Sequence, residues 1–460
     1  MKQTRRSFMK KFGGTTALGA GAFMSGVPLA LSDGAAHGGT AGLHVHESGF
    51  SAGTNGLPAG WSTWSARSEI APKALIDPVR YRSKPGSLAI YGDANASAYG
   101  GWEFKITGVE PGKWYRFSAY YCADGVPCES WQIVSRLDWM AADGNRAGQP
   151  NYAYRLRPAG DWKQVTLDAP APAKASGVKL QFYLANAPQG AVYWDDITFD
   201  EVPSPGPRRI TVAAINLQPR RANSSGETVG LFLENIEQTV KQPTDVILLT
   251  EGMTAVRNGK DPIDVAEAIP GPTTARLAEV AKRRRTYIIA GVFEREACTL
   301  YNVAVLLDRQ GNLAGKYRKV YLPREDVEAG MTPGNSYPVF RTDFGTVGIM
   351  ICWDHYYTDP ALAMAVQGAD IIFVPAAGTY TLIERARAWE NHVFLASSVH
   401  NNHYAHIIDP AGEMVAESSA SGTPAIATID LNRRYVDPWL GDMKERFIKE
   451  LRFDVKVPRI

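Results

Sequence analysis

The sequence contains little cysteine and carries little net charge. Only four cysteines occur in 460 residues, too few for a disulfide scaffold, so a hydrophobic core must stabilise the fold. The formal net charge is +2, which gives no indication of nucleic-acid binding or of a polybasic membrane surface. The sequence has no phosphate-binding loop, dinucleotide fingerprint or Cys-x-x-Cys pair, so we predict that the protein binds no cofactor and no metal.

The N-terminus has the sequence features of a targeting segment. Residues 4–10, Thr-Arg-Arg-Ser-Phe-Met-Lys, resemble the twin-arginine export signature, and a mildly apolar stretch rich in Gly, Ala and Thr follows. We predict that residues 1–36 are a signal peptide, cleaved after Ser32 or Ala36. The twin-arginine export machinery would then be a partner, and the protein would reside in the periplasm or be secreted.

The length predicts two domains after this segment. In residues 45–202, apolar and polar side chains alternate over short runs such as 87–91, 114–120 and 178–184, separated by Gly- and Pro-rich turns. This pattern predicts an all-β jelly-roll sandwich. Residues 192–200 resemble the last strand of carbohydrate-binding-module sandwiches. Its many aromatic side chains could bind a carbohydrate, or they could only fill the core of a structural or oligomer-shielding domain.

Cys122 and Cys128 flank a turn-like segment of the predicted sandwich. In an oxidising compartment they could close a small disulfide loop, and the alternative is two reduced, partly buried thiols. We expect the disulfide. Cys298 lies in no recognisable motif and is predicted to be structural.

Residues 203–208 are rich in proline and are predicted to be a linker. Beyond them the pattern changes to alternating strands and helices up to residue 454. Strands are predicted at 210–215, 245–249 and 287–292, and helices at 228–240 and 273–285. This alternation is typical of an α/β layered domain.

Three segments of this second domain could support nucleophilic chemistry. Cys352 follows the apolar run 345–351, so its thiol would be held rigidly at the end of a buried strand. A thiol attacks as thiolate and needs a base or a positive charge nearby. Glu251 comes directly after another apolar strand, and Lys319 lies in an apolar and aromatic run, where its ammonium must be paired with a carboxylate.

These segments resemble the nitrilase, or carbon–nitrogen hydrolase, superfamily, and the resemblance extends over roughly residues 209–454. It includes residues 368–375 and 385–391 as well as the three segments above. The resemblance implies a four-layer αββα fold, assembly into a homo-oligomer through an outer helical layer, and the catalytic residues Glu251, Lys319 and Cys352. Thr250, Tyr321 and Asn216 depart from the residues usual in the family, and none of the three replaces a catalytic group.

The resemblance also implies a mechanism for hydrolysis of a non-peptide carbon–nitrogen bond, with a linear amide as the expected substrate. Cys352 would form a thioester, Glu251 would be the general base, and Lys319 with the backbone N–H of Trp353 would stabilise the oxyanion. A second family glutamate, which supports the lysine or the substrate, is assigned to Glu328, with Glu325 as the rival.

Two other functions remain open. Residues 352–355, Cys-Trp-Asp-His, look like the Cys-Trp-Glu-His run of nitrilases, which favours a nitrile substrate. The chain could instead be a secreted carbohydrate-binding protein with an inactive hydrolase scaffold, although retention of the three catalytic residues argues against this. A metal site at His400, His403 and His406 is disfavoured because the segment leads into a predicted strand, where alternate side chains diverge.

Overall fold

The structure is a computed structural model that describes residues 43–401 and 404–456. The predicted signal peptide and His403 therefore lie outside the described residues. In the part of the chain that is described, no helix has both the length and the apolar character needed to cross a membrane.

Residues 44–202 form two antiparallel sheets that enclose one core. The seven-stranded sheet has the order β3-β4-β12-β6-β10-β9, with β1 also paired to β12, and the five-stranded sheet has the order β2-β5-β11-β7-β8. The strands are β1 His44–Glu47, β2 Trp61–Ser65, β3 Lys73–Asp77, β4 Ser87–Tyr91, β5 Tyr99–Thr107, β6 Trp114–Asp124, β7 Ile133–Met140, β8 Asn151–Tyr152, β9 Arg155–Ala159, β10 Trp162–Pro170, β11 Gly177–Ala185 and β12 Ala191–Val202. A 3₁₀ turn, Ser68–Ile70, and a short helix, α1 Glu129–Gln132, connect some of them.

Alternation along these strands builds the shared core. Val178, Leu180 and Phe182 of β11 face inward and pack with side chains of the opposite sheet, including Trp194. Lys179 between them points the other way and lies near Glu103 on the outer surface. Alternating strands of this kind are what the sequence predicts for this region, whereas the jelly-roll connectivity stays a prediction.

The expected disulfide is not present. Cys122 and Cys128 are both free and buried. Cys122 lies within β6 and packs against Ala89 and Tyr193, whereas Cys128 precedes α1, with Sγ 3.6 Å from the carbonyl oxygen of Leu451. The two thiols therefore occupy separate packing environments, and the structure contradicts the disulfide.

The second region is built from two further sheets. Its strands are β13 Arg209–Ala214, β14 Val246–Leu248, β15 Tyr287–Glu296, β16 Thr299–Leu307, β17 Leu313–Arg318, β18 Val339–Arg341, β19 Thr346–Ile349, β20 Ile371–Pro375, β21 Phe394–Ser398, β22 His406–Ile408, β23 Met414–Glu417, β24 Ala425–Asp430, β25 Val436–Asp437 and β26 Gly441–Asp442. Its helices are α2 Ser225–Thr239, α3 Pro262–Val265, α4 Pro272–Arg284, α5 Arg324–Glu328, α6 Asp359–Val366, α7 Thr381–Asn391 and α8 Met443–Glu450, with a 3₁₀ turn at Cys352–Tyr356.

These elements stack in four layers. One six-stranded sheet has the order β17-β16-β15-β14-β13-β24 and the other β18-β19-β20-β21-β22-β23. On β14, Val246 and Leu248 face the second sheet, while Ile247 faces α2 and α4. A strand that is covered on both faces consists mainly of consecutive apolar residues, so it could be located from the sequence. Helices α6 and α7 cover the second sheet, so the αββα architecture is confirmed.

The two regions are in contact through the C-terminal helix. β12 ends at Val202 and β13 begins at Arg209, with no regular structure at residues 203–208. Helix α8 packs against the sandwich: Glu445 accepts a hydrogen bond from the backbone N–H of Tyr152 at 2.8 Å, and Lys449 donates to the carbonyl of Ile133 at 2.6 Å. The described residues belong to one compact unit, and the domain boundaries drawn from the sequence stay a prediction.

Candidate active site

Glu251 lies just beyond the end of β14, with its carboxylate buried and held by three donors. Oε1 accepts hydrogen bonds from Lys319 Nζ and Asn302 Nδ2, both at 2.8 Å, and Oε2 accepts from the backbone N–H of Ala377 at 3.0 Å. Strand β15 approaches closely, because a Cβ atom at Gly291 would lie only 2.5 Å from the Cα of Glu251. The carboxylate is therefore fixed in position by its hydrogen bonds and by backbone packing.

Lys319 follows the last residue of β17 and is only 2% exposed. Its ammonium lies 2.8 Å from Glu251 Oε1 and 3.4 Å from Asp326 Oδ2. Burial alone would lower the pKa of Lys319, but its carboxylate neighbours, chiefly Glu251, act against burial, and the pKa is raised. The residue is thus a permanent cation, paired with carboxylates as the cost of burying an ammonium predicts.

Cys352 opens the 3₁₀ turn that follows β19. Its φ is +42°, in the left-handed region that a non-glycine residue adopts only when its surroundings impose it. The buried carboxylate of Asp354 holds this turn, because it accepts hydrogen bonds from the backbone N–H of Ile351 at 2.9 Å, the backbone N–H of Tyr321 at 2.8 Å and the hydroxyl of Tyr317 at 2.8 Å. The turn with the thiol is therefore tied to the segment that carries Lys319.

The electrostatics of the three groups determine their resting charges. Burial and, after it, the Glu251 charge raise the pKa of the Cys352 thiol to about 12, and the Lys319 charge opposes both. Burial also acts to raise the pKa of Glu251, but the charge and hydrogen bonds of Lys319 leave it below the ordinary value. At neutral pH the site thus holds a neutral thiol beside a carboxylate and an ammonium, and a free thiolate is not a stable resting species.

Trp353 follows the thiol and is half-buried. Its ring centroid lies 4.5 Å from that of Tyr356. The Tyr356 ring is in turn 5.8 Å from that of Tyr380, whose side chain is exposed. An aromatic surface therefore extends from the thiol to the outside of the molecule.

The structure does not bring Glu328 to this site. Glu328 and its rival Glu325 both have exposed side chains on α5. Asp326, which follows Glu325, is the carboxylate of this helix that faces Lys319, at 3.4 Å. Burial raises the pKa of Asp326, and the Lys319 charge only partly offsets this. The second carboxylate next to the lysine is thus an aspartate two residues before the predicted position.

Sequence reasoning also missed two residues that position this site. The side chain of Asn302 donates to Glu251, and the backbone carbonyl oxygen of Asn302 accepts from the backbone N–H of Lys319 at 2.9 Å. It is the one amide side chain in the otherwise apolar strand β16, a signal that could have identified it. Arg387 of α7 donates to carbonyl oxygens of the segment after the thiol. It lies far from Cys352 in the sequence, so no local pattern could have linked the two residues.

The histidines of the disfavoured metal site have other surroundings. His406 is buried, with Nδ1 2.5 Å from Oε2 of Glu384. His400 is half-buried, and burial lowers its pKa. Over the described ranges, which leave out His403, no group of three or more His, Cys, Asp or Glu side chains has a metal-binding arrangement.

Comparison with known proteins identifies the family of this chain. A family model described as carbon-nitrogen hydrolase matches residues 211–438. Omega-amidase NIT2 from Bos taurus is 30% identical over 247 residues, which cover 48% of this chain and 89% of that protein. The chain belongs to the carbon–nitrogen hydrolase family. Another member, deaminated glutathione amidase from Synechocystis sp., is 32% identical over 230 residues, covering 44% of this chain and 85% of that protein.

Solved structures of carbon–nitrogen hydrolases show similarity over the same share of the chain. Nit3 from Saccharomyces cerevisiae gives a TM-score of 0.44 at 22% identity and covers 48% of this chain and 90% of that chain. An amidase from Nesterenkonia sp. gives a TM-score of 0.42 at 20% identity and covers 50% of this chain and 95% of that chain. The family match contains Glu251, Lys319 and Cys352, whereas the sandwich lies before it.

Proposed function

We propose that this protein hydrolyses a linear, non-peptide amide through a thioester on Cys352. The observation that carries the proposal is the buried 2.8 Å contact between Lys319 Nζ and Glu251 Oε1, next to a thiol whose pKa both groups shift. A carboxylate and a permanent cation beside one neutral thiol supply a base and an oxyanion partner for acyl transfer.

The first half of the reaction forms the thioester. Glu251 takes the proton of Cys352 as Sγ bonds to the amide carbon and the carbonyl π electrons move to oxygen. Because the thiol is a weak acid here, proton removal and attack are expected to coincide. Lys319 and the Trp353 N–H stabilise the oxyanion, and Glu251 then delivers its proton to the nitrogen as the C–N bond breaks, releasing ammonia from a primary amide.

The second half releases the acid. Glu251 removes a proton from a water molecule whose oxygen attacks the thioester carbon. The carbon–sulfur bond breaks, and the proton on Glu251 returns to the sulfur of Cys352. The products are a carboxylic acid and a neutral thiol, so the site returns to its resting charges. Asp326 helps to position Lys319 throughout.

The relatives favour an amide over a nitrile. Omega-amidase and deaminated glutathione amidase are both named for amide hydrolysis. The nitrilase-like run at residues 352–355 keeps nitrile hydrolysis as the second candidate. Turnover of nitriles without turnover of amides would establish that alternative.

The twin-arginine signature at residues 4–10 supports export to the periplasm or the cell exterior as part of this proposal. The sandwich would accompany the hydrolase there, either as a carbohydrate-binding or as a structural part, and assembly into a homo-oligomer is proposed on the family resemblance. A fusion of residues 1–36 to a reporter should be exported, and replacement of Arg5 and Arg6 by lysine should abolish export.

Ammonia release from a panel of primary amides and nitriles tests the chemistry. Cys352→Ala should lower kcat/KM by at least about a thousandfold, because the covalent route is lost. Cys298→Ala, which removes an exposed thiol, is the matched control and should retain full activity. Equal rates for Cys352→Ala and wild type would refute the mechanism, and polysaccharide binding without any turnover would favour the binding protein.

A further inference from the structure

A cavity of about 270 Å³ lies where the sandwich meets the hydrolase region. Trp114, Tyr154 and Arg155 line it from the sandwich, and Arg433 and Lys444 line it from the other side. None of the catalytic residues contributes to its wall. This junction cavity is therefore a separate feature from the amide-hydrolysing site.

Two of the acidic side chains in its wall are neutralised by arginines in the same wall. Asp370 accepts hydrogen bonds from Arg208 at 3.1 and 2.9 Å, one to each carboxylate oxygen. Asp442 accepts from Arg434 at 2.9 Å. Two-point and charge-assisted pairs of this kind leave little net charge toward a ligand.

The two remaining acids are also occupied. Asp168 is held by Arg116, with both carboxylate oxygens accepting at 2.7 and 2.8 Å. Glu445 accepts from Asn151 and from the backbone N–H of Tyr152 across the junction. Burial raises the pKa of Glu445 to about 8, so this carboxyl is largely uncharged at neutral pH.

Three basic groups of the wall are left without a carboxylate. Within residues 43–401 and 404–456, Arg155, Arg433 and Lys444 form no ion pair; Lys444 donates only to the carbonyl of Ala369, at 3.4 Å. His392, which is 7% exposed, also lines the cavity, and its Nδ1 has no hydrogen-bond partner in the described structure. The excess charge of the cavity wall is thus positive, and one imidazole nitrogen of the wall has no hydrogen-bond partner in the described structure.

We propose that the junction cavity binds a small anion carrying carboxylate or phosphate groups, held by Arg155, Arg433 and Lys444. Guanidinium groups match the geometry of both anions, and the ammonium adds a point charge. Trp114 and Tyr154 add aromatic side chains to the lining, which suits an organic anion better than a bare ion. Because Arg155 belongs to the sandwich and the other two groups do not, the ligand would bridge the two regions.

Calorimetric titration of the full chain at low salt tests this, with citrate and inorganic phosphate as separate probes. Saturable binding of one equivalent is expected for wild type, and Arg155→Ala and Arg433→Ala should each weaken it at least tenfold. Binding of citrate alone would identify carboxylates as the ligand class, and binding of phosphate alone would identify phosphates. Thermal unfolding with and without the probe should show stabilisation of wild type.

Arg157→Ala is the matched control, because Arg157 is exposed on the same strand as Arg155 but does not line the cavity. Its affinity for the probes should equal that of wild type. No saturable binding of either probe at millimolar concentration would overturn the proposal. An equal loss of affinity in Arg157→Ala would also overturn it, since that result indicates only general attraction to a basic surface. Neither outcome depends on amide hydrolysis.

Discussion

Lys319 has three ionisable neighbours, and they determine what it can do. Glu251 and Asp326 lie 2.8 and 3.4 Å from its Nζ, and Cys352 is close enough to raise its pKa. An ammonium whose pKa is raised above its ordinary value cannot give up its proton within a catalytic cycle at neutral pH. In the proposed mechanism Lys319 therefore stabilises the oxyanion electrostatically, and Glu251 carries out proton transfer.

Replacing Asp326 tests which carboxylate supports the lysine. Asp326→Asn keeps the shape of the side chain but removes the charge next to Nζ, so we expect kcat to fall about tenfold while KM changes less. Glu328→Gln, on the exposed side of the same helix, is the control and should behave as wild type. A larger loss in Glu328→Gln than in Asp326→Asn would restore the assignment made from the sequence.

The contrast between these residues shows what the sequence can reveal about the site. Glu251 and Cys352 each follow a buried apolar strand, and Lys319 interrupts an apolar segment, so all three stand out in the sequence. Asp326 does not, because α5 has only five residues and the side that faces inward depends on the path of the loop before it. Two residues along a helix change the direction of a side chain by more than half a turn.

At the scale of elements, the strained turn at Cys352 is held from both sides. Asp354 binds its beginning, and Arg387 of α7 binds its end. The Arg387 guanidinium donates to the carbonyl oxygens of His355 at 3.0 Å, Tyr356 at 3.0 Å and Tyr357 at 3.1 Å. A helix of the outer layer thereby positions the turn that carries Cys352, the proposed nucleophile.

Arg387→Ala should lower kcat about a hundredfold, with a smaller change in KM, because the thiol loses its orientation while the substrate surface is retained. Arg387→Lys should recover only part of the loss, since the donors of an ammonium lie on one nitrogen and cannot reproduce the planar, spread donors of the guanidinium. Arg385→Ala, on the same helix but bound to Gly412 and Glu413 near the surface, is the control. If kcat falls as far in Arg385→Ala, the loss comes from a general perturbation of the helix and not from the contacts of Arg387. Thermal unfolding of each variant distinguishes a folding defect from a displaced thiol in a folded protein.

The helices and strands of the hydrolase region were largely predictable, and the exceptions have local causes. Strand 210–215 corresponds to β13 because a strand buried on both faces is mostly apolar. The helix predicted to start at Thr228 begins at Ser225, because the Ser224 side chain accepts a hydrogen bond from the backbone N–H of Glu227 and caps it. A hydrophobic pattern locates the middle of a helix better than its capped end.

At the scale of the whole molecule, the contact between sandwich and hydrolase depends on residues far apart in sequence. Asn151 and Glu445 are 294 residues apart, yet Asn151 Nδ2 lies 3.0 Å from Glu445 Oε2. Neither residue belongs to a motif, and the Pro-rich segment 203–208 indicated only where the chain changes character. The packing of α8 onto the sandwich could therefore not be predicted from local pattern.

This junction should make the stability of the protein depend on pH. Burial raises the pKa of Glu445 from an ordinary 4.5 to about 8, so the folded protein retains a proton that the unfolded chain loses above about pH 4.5. The stability that this group contributes is fully present below pH 4.5 and is lost as the pH rises through about 8. A shift of this size corresponds to a few kcal/mol, since one pKa unit is worth about 1.4 kcal/mol.

Glu445→Gln keeps an acceptor for Asn151 and Tyr152 but has no proton to lose, so its free energy of unfolding should decline less than that of wild type between pH 5 and pH 8. Urea unfolding at both pH values measures this difference. Glu450→Gln, exposed on the same helix and paired with Arg446, should follow the wild-type curve. Identical pH dependence in Glu445→Gln and wild type would mean that Glu445 is already ionised in the folded state. In that case the charge of Arg434 would dominate over burial at the junction.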